Sequence, residues 1–143
     1  MSLAPAGYSG TPLAQKLGLK DGQRVLFLDL PAELAALAEA RDFSETRRAG
    51  WDGLAGAEGF DFVHGFTASR AVLEDAAKPF VGAIRRDGMV WVSWPKKASK
   101  VPTDITEDVI REVLLPVGLV DVKVAAVDAV WSGLKLVIRK ELR

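Results

Sequence analysis

The chain is built from short apolar runs that alternate with segments of helical periodicity. Three runs predict strands, over residues 24–30, 60–69 and 89–94, and the first of them is almost continuously apolar. Runs of this kind are typical of strands that are buried on both faces, as in a parallel sheet. Residues 119–142 instead predict a two-stranded hairpin that turns near residues 128–133. The pattern therefore predicts a sheet whose central strands are parallel and whose last two strands form an antiparallel hairpin.

Helices are predicted between these strands. The segment after Pro31 is rich in strong helix formers. Residues 70–86 carry apolar side chains at helical spacing, and Pro79 should kink or interrupt that helix. Asp87-Gly88 is typical of a turn. Residues 41–59 fit either a short strand or an irregular crossover, and the pattern does not choose between them.

Helix boundaries are marked by capping residues. Thr11 and Pro12 predict the start of a short helix, with Thr11 as the N-cap. Asp104 has a glutamate three residues later, the form of a capping box, and predicts the start of another helix. Pro116 and Gly118 predict its end. These signals place helices both before and after the buried strands.

The order of elements predicts an α/β fold with a mostly parallel sheet and a C-terminal antiparallel hairpin. Residues 1–10 are small and rich in glycine and proline, and we expect a flexible lead-in there. Residues 11–143 contain no internal repeat and no linker. We therefore expect one domain over residues 11–143.

Four segments resemble the Rossmann-like methyltransferase fold in a shortened form. RVLFLDLP resembles its first strand, with Asp29 near the strand end, and GFDFVHGF resembles its fourth. DGMVWVSWP resembles the fifth strand, and LVDVKVAAVDAVWSGLKLVIRK resembles the closing hairpin. The resemblance implies a three-layer sheet fold. It also implies S-adenosylmethionine as cofactor, held by a glycine-rich turn after the first strand.

The turn after the first predicted strand departs from that family. It reads Asp29-Leu30-Pro31-Ala32-Glu33 and contains no glycine. Glycine lets a backbone approach a ligand and accepts positive φ, and proline removes an N–H donor. Glu45 is the candidate for the acid that would hold the ribose hydroxyls. We therefore expect no cofactor under our leading hypothesis, and S-adenosylmethionine only under the alternative.

A second resemblance covers most of the chain. TPLAQKLGLKDGQRVLFL, WVSWPKKASKV, DITEDVIREVLLPVGLVDVKV and VDAVWSGLKLVIRK resemble a bacterial family of small proteins described as a domain of unknown function. Its most distinctive motifs are Trp-Pro-Lys-Lys and Val-Trp-Ser-Gly-Leu-Lys. This resemblance implies no activity.

Composition excludes several kinds of site. The chain of 143 residues has no cysteine and a single histidine, His64, so a thiolate nucleophile and a multi-histidine metal site within the chain are excluded. Lysine plus arginine equals aspartate plus glutamate, and this neutral balance makes nucleic acid an unlikely partner. No apolar run has the length of a membrane span, and no signal peptide is visible. We expect a soluble, cytoplasmic protein.

Ligands of open parallel sheets bind beyond the carboxyl ends of the strands. Three predicted loops begin at these carboxyl ends, over residues 29–33, 67–70 and 94–100. The candidate binding residues in these loops are Asp29, Ser69, Arg70, Trp94, Lys96, Lys97, Ser99 and Lys100. The lysines and hydroxyl groups could hold a phosphate or a carboxylate. The competing interpretation is a solvated loop that keeps the sheet edge soluble.

Aromatic side chains have core and ligand interpretations. We expect Trp91 to pack under a helix, because alternation places it on one face of its strand. Trp94 ends that strand and could stack on a ligand. Trp131 could cover the sheet edge or contact a partner. His64 lies in mid-strand, and we expect a core histidine with satisfied hydrogen bonds rather than a general base.

Our leading hypothesis is a non-catalytic or catalytically degenerate α/β domain. It would bind a partner protein or a small anionic ligand at the carboxyl edge of the sheet. The alternative is a divergent S-adenosylmethionine-dependent methyltransferase. A nucleic-acid accessory protein is the third hypothesis and is disfavoured by the neutral charge. The exposed strand of the hairpin could also form a homodimer.

Overall fold

A computed structural model describes residues 12–143, so the predictions for the lead-in and for Thr11 lie outside the described residues. Three α-helices are present in the described part of the chain: α1 Leu13–Leu17, α2 Arg70–Ala83 and α3 Glu107–Leu114. The strands are β1 Arg24–Leu28, β2 Glu45–Ala49, β3 Phe60–Phe66, β4 Ile84–Pro95, β5 Leu119–Ala126 and β6 Trp131–Ile138. Over residues 12–143, no helix has the length and apolar character needed to cross a bilayer.

The six strands form one sheet in the order β2-β1-β3-β4-β6-β5. Strands β1 to β4 pair in parallel, whereas β6 pairs antiparallel with both β4 and β5. This confirms the predicted α/β fold with a mostly parallel sheet and a terminal hairpin. The ambiguous residues 41–59 contain β2 and a 3₁₀ turn, Trp51–Leu54. Strand β2 is an edge strand whose polar, largely exposed side chains hide it from an apolar pattern.

Helical segments cover both faces of the sheet. On one face, here called the α1 face, helix α1 and the 3₁₀ helix Ala32–Glu39 pack over Phe27 and Trp91. On the other, the α2 face, helices α2 and α3 pack over Leu26 and Val63. The two apolar clusters lie on opposite faces because strand side chains alternate. The protein is therefore a three-layer sandwich.

Three local predictions need correction. The segment after Pro31 is a 3₁₀ helix and not an α-helix. Helix α2 continues past Pro79 and ends at Ala83, where β4 begins. Asp87 and Gly88 do not form a separate turn, because β4 includes them in an irregular stretch between Ile84 and Met89. The register between β3 and β4 shifts there, which a two-residue turn signal does not reveal.

The predicted capping box at Asp104 is wrong. Thr106 is the N-cap of α3, and its side chain accepts a hydrogen bond from the backbone N–H of Val109 at 3.2 Å. The Asp104 carboxylate instead accepts from the backbone N–H of Arg70, at 2.7 Å, at the start of α2. The chain crosses the beginning of α2 before it enters α3, which a local sequence pattern cannot show.

We expect Asp104→Ala to destabilise the protein by about 1 kcal/mol, because it leaves a first-turn N–H of α2 without a partner. Urea unfolding measures the change. Asp87→Ala is the matched control, because the Asp87 side chain is 82% exposed and reaches only Arg85, at 3.8 Å. The control should cost less than about 0.5 kcal/mol. Equal costs for the two variants would contradict a capping role for Asp104.

Candidate functional site

The order of the parallel strands reverses at β1. Strand β1 lies between β2 and β3 in the sheet. The connection from β1 leads to β2 on one side of β1, and the connection from β2 crosses to β3 on the other side. In open α/β sheets, this topological switch point leaves a crevice beyond the carboxyl ends of the strands. The loops that begin at residues 29, 50 and 67 meet there. This edge is therefore the candidate binding site.

Asp29 makes the turn that ends β1. Its φ of 54° lies in the left-handed region, which glycine normally occupies and which aspartate tolerates better than most residues. The backbone N–H of Asp29 donates to the carbonyl oxygen of Ala49 at 2.9 Å, which ties the end of β1 to the end of β2. The side chain is exposed. The left-handed turn thus forms without glycine and presents a carboxylate at the switch point.

A second carboxylate converges on the same place from the β2 side. A Cβ built on Gly50 would lie 3.1 Å from Oδ1 of Asp52 and 3.6 Å from Oδ1 of Asp29. Both carboxylates therefore lie over the backbone of Gly50. Neither forms an ion pair within residues 12–143. Two unpaired carboxylates can accept hydrogen bonds from hydroxyl groups or from an ammonium group.

Trp51 covers the carboxyl end of β3. Its Nε1–H donates to the carbonyl oxygen of Phe66 at 2.9 Å, and its ring packs edge-on against Phe80 with centroids 5.7 Å apart. The ring also rests on Gly65, where a Cβ would overlap it. Gly65 is therefore required by this close approach, and Trp51 is held between β3 and α2.

A cavity of about 340 Å³ opens beside Trp51, between the 3₁₀ turn Trp51–Leu54 and α2. Its volume lies at the lower end of the range for small-molecule sites, which are mostly apolar with a few polar groups. Such a cavity suits a planar apolar ring with a polar substituent. The residues that line it are Trp51, Asp52, Leu54, Ala55, Val72, Asp75, Ala76 and Pro79.

Glu45, the sequence candidate for a ribose-binding acid, lies at the wrong end of its strand. It begins β2, whereas the site is at the carboxyl end of β2. Its carboxylate pairs with Arg24 at 2.8 Å and with Arg47 at 2.9 Å. The hydrogen bond from Arg24 is the main reason why the pKa of Glu45 is lowered. Asp52, three residues beyond the end of β2, instead lies at the carboxyl end of that strand, where an acid was expected.

Ser69 and Arg70 have partners of their own at the start of α2. The Ser69 hydroxyl accepts from the backbone N–H of Val72 at 3.4 Å and caps the helix. Arg70 pairs with Glu74 at 3.0 Å and with Glu112 at 3.1 Å, which raises its pKa. These side chains stabilise the junction of α2 and α3.

The predicted lysine loop follows β4, two strands away from β1, or about 10 Å along the sheet. Lys97 and Lys100 are exposed, and Lys96 is partly exposed. No ion pair within residues 12–143 involves any of them. Ser99 donates to the carbonyl oxygen of Lys96 at 2.6 Å, so its hydroxyl shapes the loop. The anion site remains a prediction for the lysines.

The tryptophans of the central sheet belong mainly to the core. Trp91 is fully buried, and its Nε1–H donates to the carbonyl oxygen of Leu17 at 2.9 Å, which confirms that it packs under a helix. Trp94 is only 8% exposed and packs on the α2 face. Trp131 is half-buried, edge-on to Phe66. Trp94 therefore has little surface left for stacking on a ligand.

His64 is a core histidine with one unsatisfied nitrogen. Its Nε2 lies 2.7 Å from Oγ of Ser93, but Nδ1 has no hydrogen-bond partner among the described residues. The ring stacks on Phe66 with centroids 4.2 Å apart. Burial lowers the pKa of His64 from its ordinary value of 6.5 to about 3, so the ring is neutral in the folded protein. The expectation of a fully satisfied histidine was wrong for Nδ1.

Over residues 12–143, no cluster of three or more histidine or acidic side chains could hold a metal ion. The site residues that sequence reasoning missed are Trp51 and Asp52. The only local signal for them is the tripeptide Trp51-Asp52-Gly53 in a glycine-rich segment. Its meaning depends on recognising β2, since a loop residue gains a role only from the strand it follows.

Comparisons with known proteins agree on the fold. A S-adenosylmethionine-dependent methyltransferase from Aquifex aeolicus is similar with a TM-score of 0.67 and 13% identity, over 89% of this chain and 88% of the other. Magnesium protoporphyrin IX methyltransferase from Synechocystis, with bound S-adenosylmethionine, has a TM-score of 0.60 and 15% identity over 89% and 74%. Fibrillarin from Aeropyrum pernix, with the same molecule bound, has a TM-score of 0.56 and 17% identity over 87% and 73%.

These likenesses show a methyltransferase-like Rossmann fold at low sequence identity. No protein-family model and no curated protein sequence matches the chain. The resemblance to an uncharacterised bacterial family therefore stays a prediction.

Proposed function

We propose that this protein binds S-adenosylmethionine at the switch point and is a divergent methyltransferase-type domain. The observation that carries the proposal is the convergence of Asp29 and Asp52 over Gly50, beside an apolar cavity walled by Trp51. Carboxylates at strand ends that accept hydrogen bonds from ribose hydroxyls are a general feature of nucleotide sites in such sheets. The methyltransferase hypothesis, which is the alternative from the sequence alone, is therefore preferred here to the degenerate domain.

The similar structures support the proposal through their fold and their length. The chain covers most of the Aquifex protein, which is described as a S-adenosylmethionine-dependent methyltransferase, and is itself covered almost to the same extent. Two further similar proteins hold S-adenosylmethionine in their structures. Because the fold is shared, the general rule for ligands at a topological switch point supports the same position for a site in this chain.

The residues of the edge fit the chemical groups of this cofactor. The indole of Trp51 and the apolar cavity wall fit the adenine ring. The Asp52 carboxylate fits the ribose hydroxyls, and the Asp29 carboxylate fits the amino group of the methionine part. Pro31 supplies no N–H, but the left-handed turn is already complete at Asp29. The departure from the glycine pattern thus alters the turn without removing the polar groups of the site.

When bound, the cofactor would supply an electrophilic methyl group. The chain's own part would be to hold and orient it: Trp51 excludes water from one side, and the two aspartates fix the polar end. Methyl transfer to a nucleophile relies chiefly on proximity and alignment, so it needs no dedicated nucleophilic residue in the protein.

Isothermal titration calorimetry with S-adenosylmethionine and with S-adenosylhomocysteine tests the proposal. We expect Asp52→Asn to weaken binding about tenfold, the effect of losing one hydrogen bond to a charged group. Gly50→Ala should also weaken it, because the new methyl group enters the space between the two carboxylates. Its extended backbone, with φ of −78°, accepts alanine without strain.

Asp87→Asn is the matched control, since this exposed carboxylate lies near the amino end of β4, away from the site. It should leave affinity within twofold of the wild type. The proposal fails if the wild-type protein shows no binding at millimolar ligand, or if the control variant weakens binding as much as Asp52→Asn.

A second candidate is the degenerate domain, with a small anionic ligand or a protein partner at the same edge. The exposed Lys97 and the partly exposed Lys96, which form no ion pair within residues 12–143, favour it, together with the proline in the first turn. Under this alternative, phosphate raises the melting temperature of the wild type and of Asp52→Asn alike. The double variant Lys96→Ala/Lys97→Ala then removes the phosphate effect, whereas S-adenosylmethionine binding does not depend on these lysines.

A further inference from the structure

Lysines and arginines are used differently in this protein. Every ion pair within residues 12–143 uses an arginine, and none uses a lysine. On the α2 face, for example, the single side chain of Arg111 pairs with three carboxylates, those of Glu107, Asp108 and Asp121. The neutral net charge therefore conceals a separation of compensated arginines from uncompensated lysines.

Two of these lysines face each other across the hairpin. Lys123 of β5 and Lys135 of β6 are direct cross-strand partners, and Lys135 is in turn paired with Trp91 of β4. Lys123 lies over the Trp91 ring, with Nζ 6.0 Å from the centroid. Like charges directly opposite each other in a sheet are destabilising. The Trp91 ring offsets part of this repulsion at Lys123 through a cation–π contact.

The electrostatic cost is visible at Lys135. Burial lowers its pKa, and the charges of Lys123 and Lys20 lower it further. No carboxylate within residues 12–143 pairs with any of these three lysines. Residues 1–11 contain no aspartate or glutamate. No ion pair within the described part of the chain therefore neutralises these three lysines.

The lysines extend along the hairpin in a line. Lys16 of α1 donates to the carbonyl oxygen of Ala126 at the end of β5, which is about 10 Å along the strand from Lys123. Beyond the hairpin turn, the backbone N–H of Lys96 donates to the carbonyl oxygen of Val130 at 2.7 Å. The lysine loop is thus tied to the same turn. Positive charge on the α1 face therefore runs from the middle of β5 to its carboxyl end, where the Lys16 ammonium lies.

We propose that this line of lysines on the α1 face binds the phosphate backbone of a single-stranded nucleic acid. A linear array of point charges fits a chain of phosphates better than it fits one compact anion. The half-buried Trp131 lies on the same face beside the turn, where its ring can stack on a base. This proposal stands on the lysines and does not depend on cofactor binding.

Few apolar side chains accompany the lysines for membrane insertion: Val122, which is 51% exposed beside Lys123, and the half-buried Trp131. Peripheral membrane binding needs apolar side chains that insert among the lipids, on the same side as the cations. On β5 the exposed Val124 is paired with Leu134, whose side chain packs on the α2 face, and so it points away from Lys123 and Lys135. Ala125 and Gly133, between the lysines and the turn, offer no such anchor.

Fluorescence anisotropy with a labelled single-stranded RNA and a single-stranded DNA of about 12 nucleotides tests the proposal. We expect Lys123→Gln/Lys135→Gln to weaken binding about tenfold or more. Its log–log salt dependence should become shallower by about 1.4, because two phosphate contacts are lost. The same variant should melt about 2 °C higher than the wild type, since it relieves the cross-strand repulsion. Lost binding with raised stability cannot arise from misfolding.

Lys78→Gln/Lys140→Gln is the matched control, because it removes the same charge from two exposed positions outside the line. It should change affinity less than twofold. The proposal is overturned if the wild type binds neither oligonucleotide at 50 mM salt, or if both double variants lose affinity equally. It is also overturned if poly-glutamate or phosphatidylserine vesicles bind as tightly as the oligonucleotides.

Discussion

Acidification from pH 6.5 to pH 4.5 should remove about 2–3 kcal/mol of folding stability, and His64 should account for most of that loss. The buried ring has a pKa of about 3 in the folded protein, against 6.5 in the unfolded chain. Below pH 6.5 the unfolded state therefore binds a proton that the folded state excludes. Stability falls as the pH falls, and it continues to fall until the folded protein is itself protonated near pH 3.

The surroundings of His64 explain the size of this effect. Phe27, Phe66 and Trp91 surround the ring, and Ser93 is its one hydrogen-bond partner among the described residues. Among residues 12–143, no carboxylate forms an ion pair with His64. The pKa values of Glu45 and Asp121 are lowered in the folded protein. The stability that these two carboxylates contribute is lost at lower pH, as the pH falls through their folded pKa values.

Chemical denaturation at a series of pH values measures this dependence for the wild type and for His64→Gln. Glutamine can keep a hydrogen bond to Ser93 but does not titrate, so its stability should be nearly constant from pH 6.5 to 4.5. The slope, and not the stability at neutral pH, is the quantity to compare. A wild-type slope that survives in His64→Gln would show that another group controls acid unfolding.

Gly65→Ala should destabilise the protein by about 2–3 kcal/mol, near the upper end of the cost of overpacking a core. The added methyl group would overlap the Trp51 ring, so Trp51 must move away from β3. That movement breaks the hydrogen bond from Trp51 to Phe66 and the edge-on contact with Phe80. Cofactor binding should weaken in parallel, because Trp51 also forms a wall of the cavity.

Gly82→Ala is the matched control for this substitution. Gly82 lies in α2, is exposed, and has open space where a Cβ would be placed. Alanine in a helix should stabilise the protein by up to about 1 kcal/mol. Both variants are measured by urea unfolding. In a Trp51→Ala background, Gly65→Ala should cost less than about 1 kcal/mol, and an unchanged cost would show that Trp51 is not the obstacle.

The apolar pattern was sufficient to predict the central strands and the hairpin, because these strands are buried on both faces or pair in sequence. It could not predict β2, whose residues Glu45–Ala49 are mostly exposed at the edge of the sheet. Nor could it assign Asp104, which caps a helix distant in sequence. Contacts between elements decide such positions, and no local pattern encodes them.

The residues of the candidate site could likewise be predicted only in part from the sequence. Asp29 was predicted from its place at the end of a buried strand, and it does lie at the switch point. The absence of glycine after it suggested a lost cofactor site, yet aspartate itself takes the left-handed conformation. Asp52 and Trp51 escaped prediction because their strand did. The lysine line emerges only when β5, β6 and α1 are brought together.

S-adenosylmethionine should bind at the switch point against Trp51, and the indole signals of the protein test this directly. The four tryptophans each give one indole N–H signal in a nitrogen–proton correlation spectrum, and single Trp→Phe variants assign them. Addition of S-adenosylhomocysteine should shift the Trp51 signal, because this indole borders the cavity. The Trp91 signal should stay in place, because that N–H is buried on the opposite face. A spectrum in which saturating ligand leaves the Trp51 signal unchanged would contradict the account.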